Sequence, residues 1–309
     1  MSAKQAITIL DGGMGRELKR RGAPFRQPEW SALAMMDAPD IVCDAHRAFI
    51  RSGAQVITTN SYALVPFHIG EDRFASQAEQ LANSAGIIAK QATQAENQQT
   101  LIAGSIPPLF GSYRAELFQP ERVEEIASPL IKGLSPHIDV WLAETQSLIA
   151  ESVAIHEQVR LLDTENKPFW VSFTLKDSEL TKQPQIRSGE TVKQAVEAMV
   201  KLKVNAILFN CSQPEVMEKA LVDARETLET LQVKDIDLGV YANAFPPTLK
   251  DATANDGLDE MRDDLNFTVY TELAQKWYQQ GATMIGGCCG IGPEHINALS
   301  NHFHSEGNA

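Results

Sequence analysis

The sequence has few cysteines, no long apolar segment and no excess of positive charge. Its apolar runs stay well below the roughly 20 residues that cross a bilayer. A formal net charge of −13 argues against nucleic acid or an anionic membrane as the main partner. The opening stretch, MSAKQAITIL, lacks a signal-peptide pattern. We therefore expect a cytoplasmic protein whose thiols stay reduced, where grouped cysteines indicate metal binding or catalysis more often than disulfides.

Several chemical signatures are also missing from the sequence. It has no Gly-x-Gly-x-x-Gly after a strand, no Walker loop, no His-Glu-x-x-His helix and no Gly-x-Ser-x-Gly elbow. The glycines between Asp11 and Gly15 have the wrong spacing for a dinucleotide fingerprint. The chemistry must therefore be sought in the residues that end the strands.

The pattern of apolar residues predicts alternating strands and helices. Short apolar runs without strict alternation fit strands that are buried on both faces. They occupy residues 7–10, 55–59, 101–104, 140–143, 169–175, 206–209, 238–241 and 284–287. Helical patterns lie between them at residues 39–51, 79–91, 123–134, 191–202, 214–228 and 268–280.

This alternation predicts an α/β fold with parallel strands. Eight such units in 309 residues favour a closed barrel over an open doubly wound sheet. We expect residues 1–309 to form one domain, a single (β/α)8 TIM barrel. Long loops are predicted at residues 176–189 and 242–266, and the second is rich in Asn, Asp and Pro, as an active-site loop would be.

Polar and reactive residues concentrate at the carboxyl ends of the predicted strands, where parallel barrels form their sites. These ends carry Asp11-Gly12-Gly13-Met14-Gly15, Thr58-Thr59-Asn60-Ser61, Gly104-Ser105, Glu144-Thr145, Asn210-Cys211-Ser212, Asn243 and Gly286-Gly287-Cys288-Cys289-Gly290. Cys211 follows strand six, whereas Cys288 and Cys289 follow strand eight. We expect the three thiols to meet on one rim.

Three thiols on one rim suggest zinc, which takes thiolates in tetrahedral geometry and keeps one position open when it is catalytic. A substrate that is itself a thiol would suit the open position, because zinc lowers a thiol pKa. A disulfide between Cys288 and Cys289 is disfavoured, since neighbouring Cα atoms lie only about 3.8 Å apart.

Other interpretations of the cysteines stay open. They could be buried small hydrophobes in a barrel hydrolase or lyase, although the glycines flanking Cys288 and Cys289 favour a close approach to a ligand. A structural zinc would need a fourth protein ligand, and no further Cys or His stands at a strand end. Cys43 lies on the apolar face of the helix predicted over residues 39–51 and is assigned to the core.

The strand-end segments together resemble the homocysteine S-methyltransferase family. The resemblance extends from Asp11 to about Ile296, and the double-cysteine run is its most specific part. The motifs that carry it are Asp11-Gly12-Gly13-Met14-Gly15, Gly53-Ala54, Thr58-Thr59-Asn60-Ser61-Tyr62, Gly104-Ser105, Glu144-Thr145, Asn210-Cys211 and Gly286-Gly287-Cys288-Cys289-Gly290.

The resemblance implies a (β/α)8 barrel that transfers a methyl group to the thiol of homocysteine, giving methionine. It implies one zinc per chain, bound by Cys211, Cys288 and Cys289, with the homocysteine sulfur in the fourth position. Asp11 and Glu144 match the family's acidic residues near the substrate amino group. The substrate carboxylate also needs hydrogen-bond donors. The backbone N–H groups from Gly12 to Met14, at the start of a helix, and the side chains of Thr59, Asn60 and Ser105 are the candidates.

The methyl donor is the second small-molecule partner. Betaine enzymes usually have a Tyr after the strand-four glutamate and a C-terminal extension, whereas Thr145 follows Glu144 here. We therefore expect a sulfonium donor, S-methylmethionine or S-adenosylmethionine. The loop after strand three departs from the pattern of sulfonium-using relatives. A cationic donor can be held over aromatic faces, and the candidates are Tyr62 after strand two and Phe110 and Tyr113 after strand three. A betaine-dependent enzyme and a non-catalytic zinc-binding barrel are the alternatives.

Overall fold

The computed structural model describes residues 6–24, 26, 29–178, 183–246 and 262–305. Its centre is an eight-stranded sheet in the order β1-β8-β7-β6-β5-β4-β3-β2. The strands are β1 (Thr8–Ile9), β2 (Val56–Thr58), β3 (Leu101–Ile106), β4 (Val140–Gln146), β5 (Phe169–Phe173), β6 (Ala206–Asn210), β7 (Asp237–Ala242) and β8 (Met284–Gly287). All eight predicted strands are confirmed, with ends that differ by a few residues.

The sheet closes between β1 and β2. Each neighbouring pair in the sheet order is parallel, and a parallel bridge between Leu10 and Val56 joins the two remaining edges. The Gln55 N–H donates to the Ile9 carbonyl across the same gap at 2.7 Å. The predicted single (β/α)8 barrel is therefore confirmed.

Eleven α-helices are found in the described part of the chain. They are α1 (Met14–Arg20), α2 (Ser31–Asp37), α3 (Pro39–Arg51), α4 (Pro66–Ile69), α5 (Glu71–Gln94), α6 (Val123–Leu134), α7 (Ile149–Leu162), α8 (Val192–Leu202), α9 (Pro214–Thr230), α10 (Phe267–Gln279) and α11 (Pro293–Ser305). The six predicted helices correspond to α3, α5, α6, α8, α9 and α10. None of the helices in the described residues is both long and apolar enough to cross a membrane.

Sequence reasoning missed α7, which follows β4. Its buried side presents Glu151, Ser152 and His156 as well as Ile155 and Val159. Polar residues on the buried side break the apolar periodicity from which an amphipathic helix is identified. The sequence pattern therefore did not predict this helix, because several of its buried residues are polar.

The strands are buried on both faces, which explains why their sequences lack alternation. In β4, Val140 and Leu142 belong to a small apolar cluster formed by side chains inside the barrel. Trp141 and Ala143, which alternate with them, belong to the larger cluster between the barrel and its helices. Both faces therefore select apolar residues.

The two long loops are only partly described. After β5, isolated antiparallel bridges pair Leu175 with Ile186 and Gln185 with Thr191, so the chain returns to the barrel rim. Residues 179–182 and 247–261, which fall within the predicted loops, lie outside the described residues. The second loop ends at Asn266, whose side chain accepts from the N–H groups of Thr268 and Val269 and so caps α10.

Candidate metal and substrate site

The three cysteine thiols lie together at the carboxyl end of the barrel. Cys211 directly follows β6, and Cys288 and Cys289 directly follow β8. The Sγ atom of Cys289 lies 3.8 Å from that of Cys211 and 3.9 Å from that of Cys288, and all three lie within 4.8 Å of one another. Sulfur atoms bound at about 2.3 Å to one tetrahedral zinc would be about 3.8 Å apart. The donor set therefore fits such a metal.

Strand β7 fixes the backbone on both sides of the cluster. The Cys211 N–H donates to the Tyr241 carbonyl at 3.3 Å, and the Cys288 N–H donates to the Ala242 carbonyl at 2.8 Å. Cys211 has a φ of 50°, a left-handed conformation that is uncommon for a residue with a side chain. This turn ends β6 and directs the Cys211 thiol toward the other two.

The loop after β1 passes directly beneath the double cysteine. A Cβ atom on Gly13 would lie 2.5 Å from the Cys288 carbonyl oxygen, which is closer than real contacts allow. The Gly13 N–H donates to the Ile291 carbonyl at 2.9 Å, so this N–H is not free for a substrate carboxylate. Gly12 is also packed too tightly for a side chain, against the Ile291 carbonyl and the Phe49 ring. Both glycines thus have a packing role beside any role in binding.

A tyrosine from the loop after β3 reaches the cysteine cluster. The Tyr113 hydroxyl lies 2.9 Å from the Cys211 Sγ atom. Hydrogen bonds from the thiols of Cys288 and Cys289, and then from Tyr113, lower the pKa of Cys211. These hydrogen bonds favour the thiolate form of Cys211.

Asp11 and Glu144 form an acidic pair on the same rim. Asp11 accepts from the Thr58 N–H at 2.8 Å and from the Thr58 hydroxyl at 3.2 Å. Glu144 accepts from the Ser105 hydroxyl. Burial raises the pKa of Asp11 to about 7, with repulsion from Glu144 adding to it. Burial also raises the pKa of Glu144 to about 7. Among the described residues, no cationic side chain lowers the pKa of either carboxylate.

The other predicted substrate residues are buried nearby, and their side chains already make hydrogen bonds. The Thr59 hydroxyl accepts from the Ser105 N–H at 3.0 Å and lies 2.9 Å from the Ser61 hydroxyl. Asn60 donates to the Ser31 carbonyl at 3.0 Å. Thr59 and Asn60 therefore join β2 to its neighbours, whereas Ser105 faces the acidic pair through Glu144.

Asn210 has a positioning role that sequence reasoning did not assign. Its Oδ1 atom accepts from the Thr145 N–H at 3.1 Å and the Ser172 hydroxyl at 2.8 Å, and its Nδ2 atom donates to the Thr145 hydroxyl at 2.8 Å. Thr145 has a φ of 57°. Asn210 thus fixes the turn that follows Glu144 and also precedes Cys211, so it couples the acidic pair to the thiols.

Comparisons with known proteins agree with this geometry. The model of the homocysteine S-methyltransferase family matches residues 8–303. The chain is 29% identical to the homocysteine S-methyltransferase of Escherichia coli over 318 residues, which cover 96% of this chain and 95% of that protein. It is 27% identical to a selenocysteine Se-methyltransferase of Brassica oleracea, over 96% of this chain and 89% of that protein.

Solved structures lead to the same family. The metallated form of the Escherichia coli homocysteine methyltransferase MmuM aligns with a TM-score of 0.76 and 27% identity over 97% of each chain. The apo form of that enzyme aligns with a TM-score of 0.71 and 26% identity, over 96% of this chain and 95% of that one. Since the family model spans nearly the whole barrel and every strand end described above, the chain belongs to the homocysteine S-methyltransferase family.

Proposed function

We propose that this protein is a zinc-dependent methyltransferase that moves a methyl group from a sulfonium donor to the thiol of homocysteine. The observation that carries the proposal is the cluster of three thiols whose sulfur atoms lie within 4.8 Å of one another. Asp11 and Glu144 lie on the same rim, and no cationic side chain among the described residues lowers the pKa of either one. Bound zinc would lower the pKa of the substrate thiol and hold the sulfur as a thiolate near neutral pH.

Asp11 and Glu144 are proposed to hold the substrate ammonium group. Each has a pKa of about 7 in the free protein because burial disfavours its charged form. An ammonium group placed between them favours the charged forms and lowers both pKa values. Thr58 donates to both oxygens of Asp11, and Ser105 donates to one oxygen of Glu144. These hydrogen bonds orient the remaining lone pairs toward the substrate.

The substrate ammonium and the three cysteines together fix the position of the thiolate. Attack by the thiolate sulfur on the donor methyl carbon forms one S–C bond and breaks the S–C bond of the sulfonium, whose sulfur leaves as a neutral thioether. No group on the protein needs to remove a proton during transfer. Catalysis then rests on positioning of the two reactants and on the prior ionisation of the thiol.

A sulfonium donor is favoured by the residues around Tyr113. The Tyr113 ring lies next to the Cys211 thiol, within 2.9 Å through its hydroxyl, and an aromatic face attracts a cation. The Tyr62 hydroxyl lies 2.5 Å from the hydroxyl of Ser112, which is on the same loop as Tyr113. Phe110 packs edge-on against Phe118 at 5.8 Å, which assigns it to loop packing. Tyr113 and Tyr62 are thus the aromatic contacts proposed for the donor.

The similarity to a selenocysteine Se-methyltransferase favours a selenol as a second candidate acceptor. A selenol amino acid would use the same open metal position and the same carboxylates for its ammonium group, although its selenol ionises more readily than a thiol. Cysteine itself, shorter by one methylene than homocysteine, tests whether chain length decides the acceptor. The donor alternatives are betaine and no donor at all, as in a non-catalytic zinc-binding barrel.

A donor and acceptor panel tests the proposal. The purified full chain is assayed with homocysteine and S-methylmethionine, S-adenosylmethionine or betaine, and methionine is quantified by mass spectrometry. We expect methionine from a sulfonium donor and none from betaine. Selenocysteine and cysteine replace homocysteine in parallel assays with the preferred donor. Absence of product with every combination would contradict the proposed transfer.

A further inference from the structure

Arg187, on the loop after β5, has a buried edge of its guanidinium group without an acceptor. Among the described residues, neither its Nε nor its Nη2 atom has a hydrogen-bond partner, and both atoms are buried. The side chain as a whole is 12% exposed. Buried guanidinium donors are rarely left unpaired, because each lost hydrogen bond leaves a charged group desolvated.

The unpaired edge is the one that binds carboxylates in a bidentate manner. In this protein Arg20 uses the same two atoms on Glu17, with Nε at 2.8 Å and Nη2 at 2.7 Å from the two carboxylate oxygens. Arg262 uses them on Asp264 at 3.0 and 2.7 Å. The fork of Arg187 matches a carboxylate in the same way, and planar bidentate recognition is what selects Arg for such sites.

Asp177 is the one acidic residue within ion-pair distance of Arg187 among the described residues. It leaves the Nε–Nη2 edge free. Asp177 approaches the third nitrogen, Nη1, at 3.5 Å, and its side chain is fully buried. Its other oxygen accepts from the Gln213 N–H at 3.1 Å. Asp177 therefore offsets the charge of Arg187 without using its bidentate edge.

Arg187 stands next to the cysteine cluster. Its guanidinium carbon lies 4.9 Å from the centre of the Tyr113 ring, and the Tyr113 hydroxyl lies 2.9 Å from the Cys211 sulfur. The Arg187 N–H donates to the Thr174 carbonyl at 2.9 Å, and the Ser188 N–H donates to the Ser147 carbonyl at 3.0 Å. These bonds dock the loop on the ends of β4 and β5, so the position of Arg187 is set by the barrel.

We propose that Arg187 binds the carboxylate of an amino-acid methyl donor and so selects donors that carry one. The inference rests on the proposed function, because it names the donor-binding part of the same site. The carboxylate belongs to the donor and not to homocysteine, since Arg187 contacts Tyr113, whereas the groups proposed for the homocysteine ammonium are Asp11 and Glu144. Both nitrogen atoms are covered in this structure, so the proposal requires the side chains over this edge to move when the donor binds.

The pairing with Asp177 makes this arrangement compatible with a cationic donor. An isolated guanidinium would repel a sulfonium group in a poorly solvated pocket. The Asp177–Arg187 pair is neutral as a unit, so the donor carboxylate meets the guanidinium edge while its sulfonium group lies over aromatic and thiolate groups. Donor selection then comes from hydrogen-bond geometry and not from net charge.

The experiment compares two donors in wild type and in Arg187→Gln. The donors are S-methylmethionine and its decarboxylated analogue, (3-aminopropyl)dimethylsulfonium, with homocysteine as acceptor. In wild type we expect kcat/KM for S-methylmethionine to exceed that for the analogue by roughly 10- to 100-fold, the effect of a bidentate charge-assisted contact. In Arg187→Gln we expect this preference to fall to within about threefold, while the KM for homocysteine changes less than about threefold.

Two further variants separate binding from structural damage. Asp177→Asn combined with Arg187→Gln removes both charges and leaves no unpaired buried carboxylate; the donor preference should stay lost in it. Arg225→Gln, which removes an ion pair with Glu229 on α9, should keep the wild-type preference. Metal content measured in each variant should equal that of wild type.

The outcomes distinguish the two proposals. A wild type that forms methionine from S-methylmethionine, together with an Arg187→Gln that keeps the donor preference, overturns the role of Arg187 alone. A raised KM for homocysteine with an unchanged donor preference also overturns it, because the carboxylate would then belong to the acceptor. A wild type inactive with every donor instead defeats the proposed function.

Discussion

The backbone of Gly13 passes so close to Cys288 that a Cβ on Gly13 would lie 2.5 Å from the Cys288 carbonyl oxygen. The loop after β1 and the double cysteine after β8 are thus packed as one unit. This contact connects the carboxyl end of β1, which Asp11 follows, to two of the three cysteines. It also explains why position 13 requires a glycine, and a substitution can test this requirement.

Gly13→Ala should weaken metal binding. The added methyl group must push the Cys288 backbone away, because the nearest atoms are backbone and cannot rotate aside. We expect at least a tenfold weaker zinc affinity by chelator competition, about 1.4 kcal/mol. Gly15→Ala is the matched control, since nothing lies within 4 Å of a Cβ there. It should bind zinc like wild type, and equal losses in both variants would contradict the packing argument.

Glu144→Gln should keep the metal and lose affinity for homocysteine. Glutamine retains an oxygen for the Ser105 hydroxyl but removes the charge proposed to pair with the ammonium group. We expect the KM for homocysteine to rise roughly 10- to 100-fold, the effect of one charge-assisted hydrogen bond. Zinc content, measured by plasma mass spectrometry, should be unchanged. Loss of zinc in this variant would assign Glu144 to the metal site instead.

Binding at the amino-acid site should tighten as the pH rises from 5.5 to 8.5. Asp11 and Glu144 each have a pKa of about 7 in the free protein, so below that pH the ammonium group must displace protons in order to bind. Methionine, which has no thiol to titrate, is the suitable ligand for calorimetry across this range. Affinity should fall as the pH drops through 7, and Glu144→Gln should reduce the slope. A pH-independent affinity in wild type would show that the pair does not bind the ammonium group.

His46 should make the protein sensitive to acid. Its ring is fully buried in α3, neither nitrogen has a hydrogen-bond partner among the described residues, and burial lowers its pKa from 6.5 to about 4. Between these values the unfolded chain binds a proton that the folded chain does not, so stability falls as the pH drops below 6.5. The full effect is about 3 kcal/mol at pH 4.

His46→Leu should therefore reduce the pH dependence of stability between pH 6.5 and 4. Part of it should remain, because burial also lowers the pKa of His156 to about 4. Urea unfolding followed by circular dichroism at several pH values measures the slope in both proteins. His302→Gln, whose ring contacts Gln275 near the surface, is the control and should keep the wild-type slope. An identical slope in wild type and His46→Leu would show that His46 does not govern the acid response.

The barrel and its thiol cluster could be predicted because both depend on local patterns. Apolar runs and strand-end residues place Cys211 and Cys288 on one rim once the strands are parallel. The packing of Gly13 and the hydrogen bonds of Thr59 could not be predicted, since they depend on which backbone groups meet in three dimensions. Helix α7 was hidden by its buried Glu151 and His156.

The role proposed for Arg187 was also invisible in the sequence. It lies between two polar stretches on a loop, and nothing local distinguishes it from a solvated surface arginine. Its contacts with Tyr113 and Asp177 arise because the loop after β5 folds back onto the rim. Contacts between residues so far apart in the chain cannot be predicted from local sequence patterns.

Metal content and methionine formation should be measured on the same samples of wild type and Cys211→Ser, because both are expected to depend on the three-thiol cluster. We expect about one zinc per chain and methionine from homocysteine in wild type, and loss of both in Cys211→Ser with an unchanged circular dichroism spectrum. A wild type without zinc, or a Cys211→Ser variant that forms methionine at the wild-type rate, would show that the thiol cluster is not a catalytic zinc site.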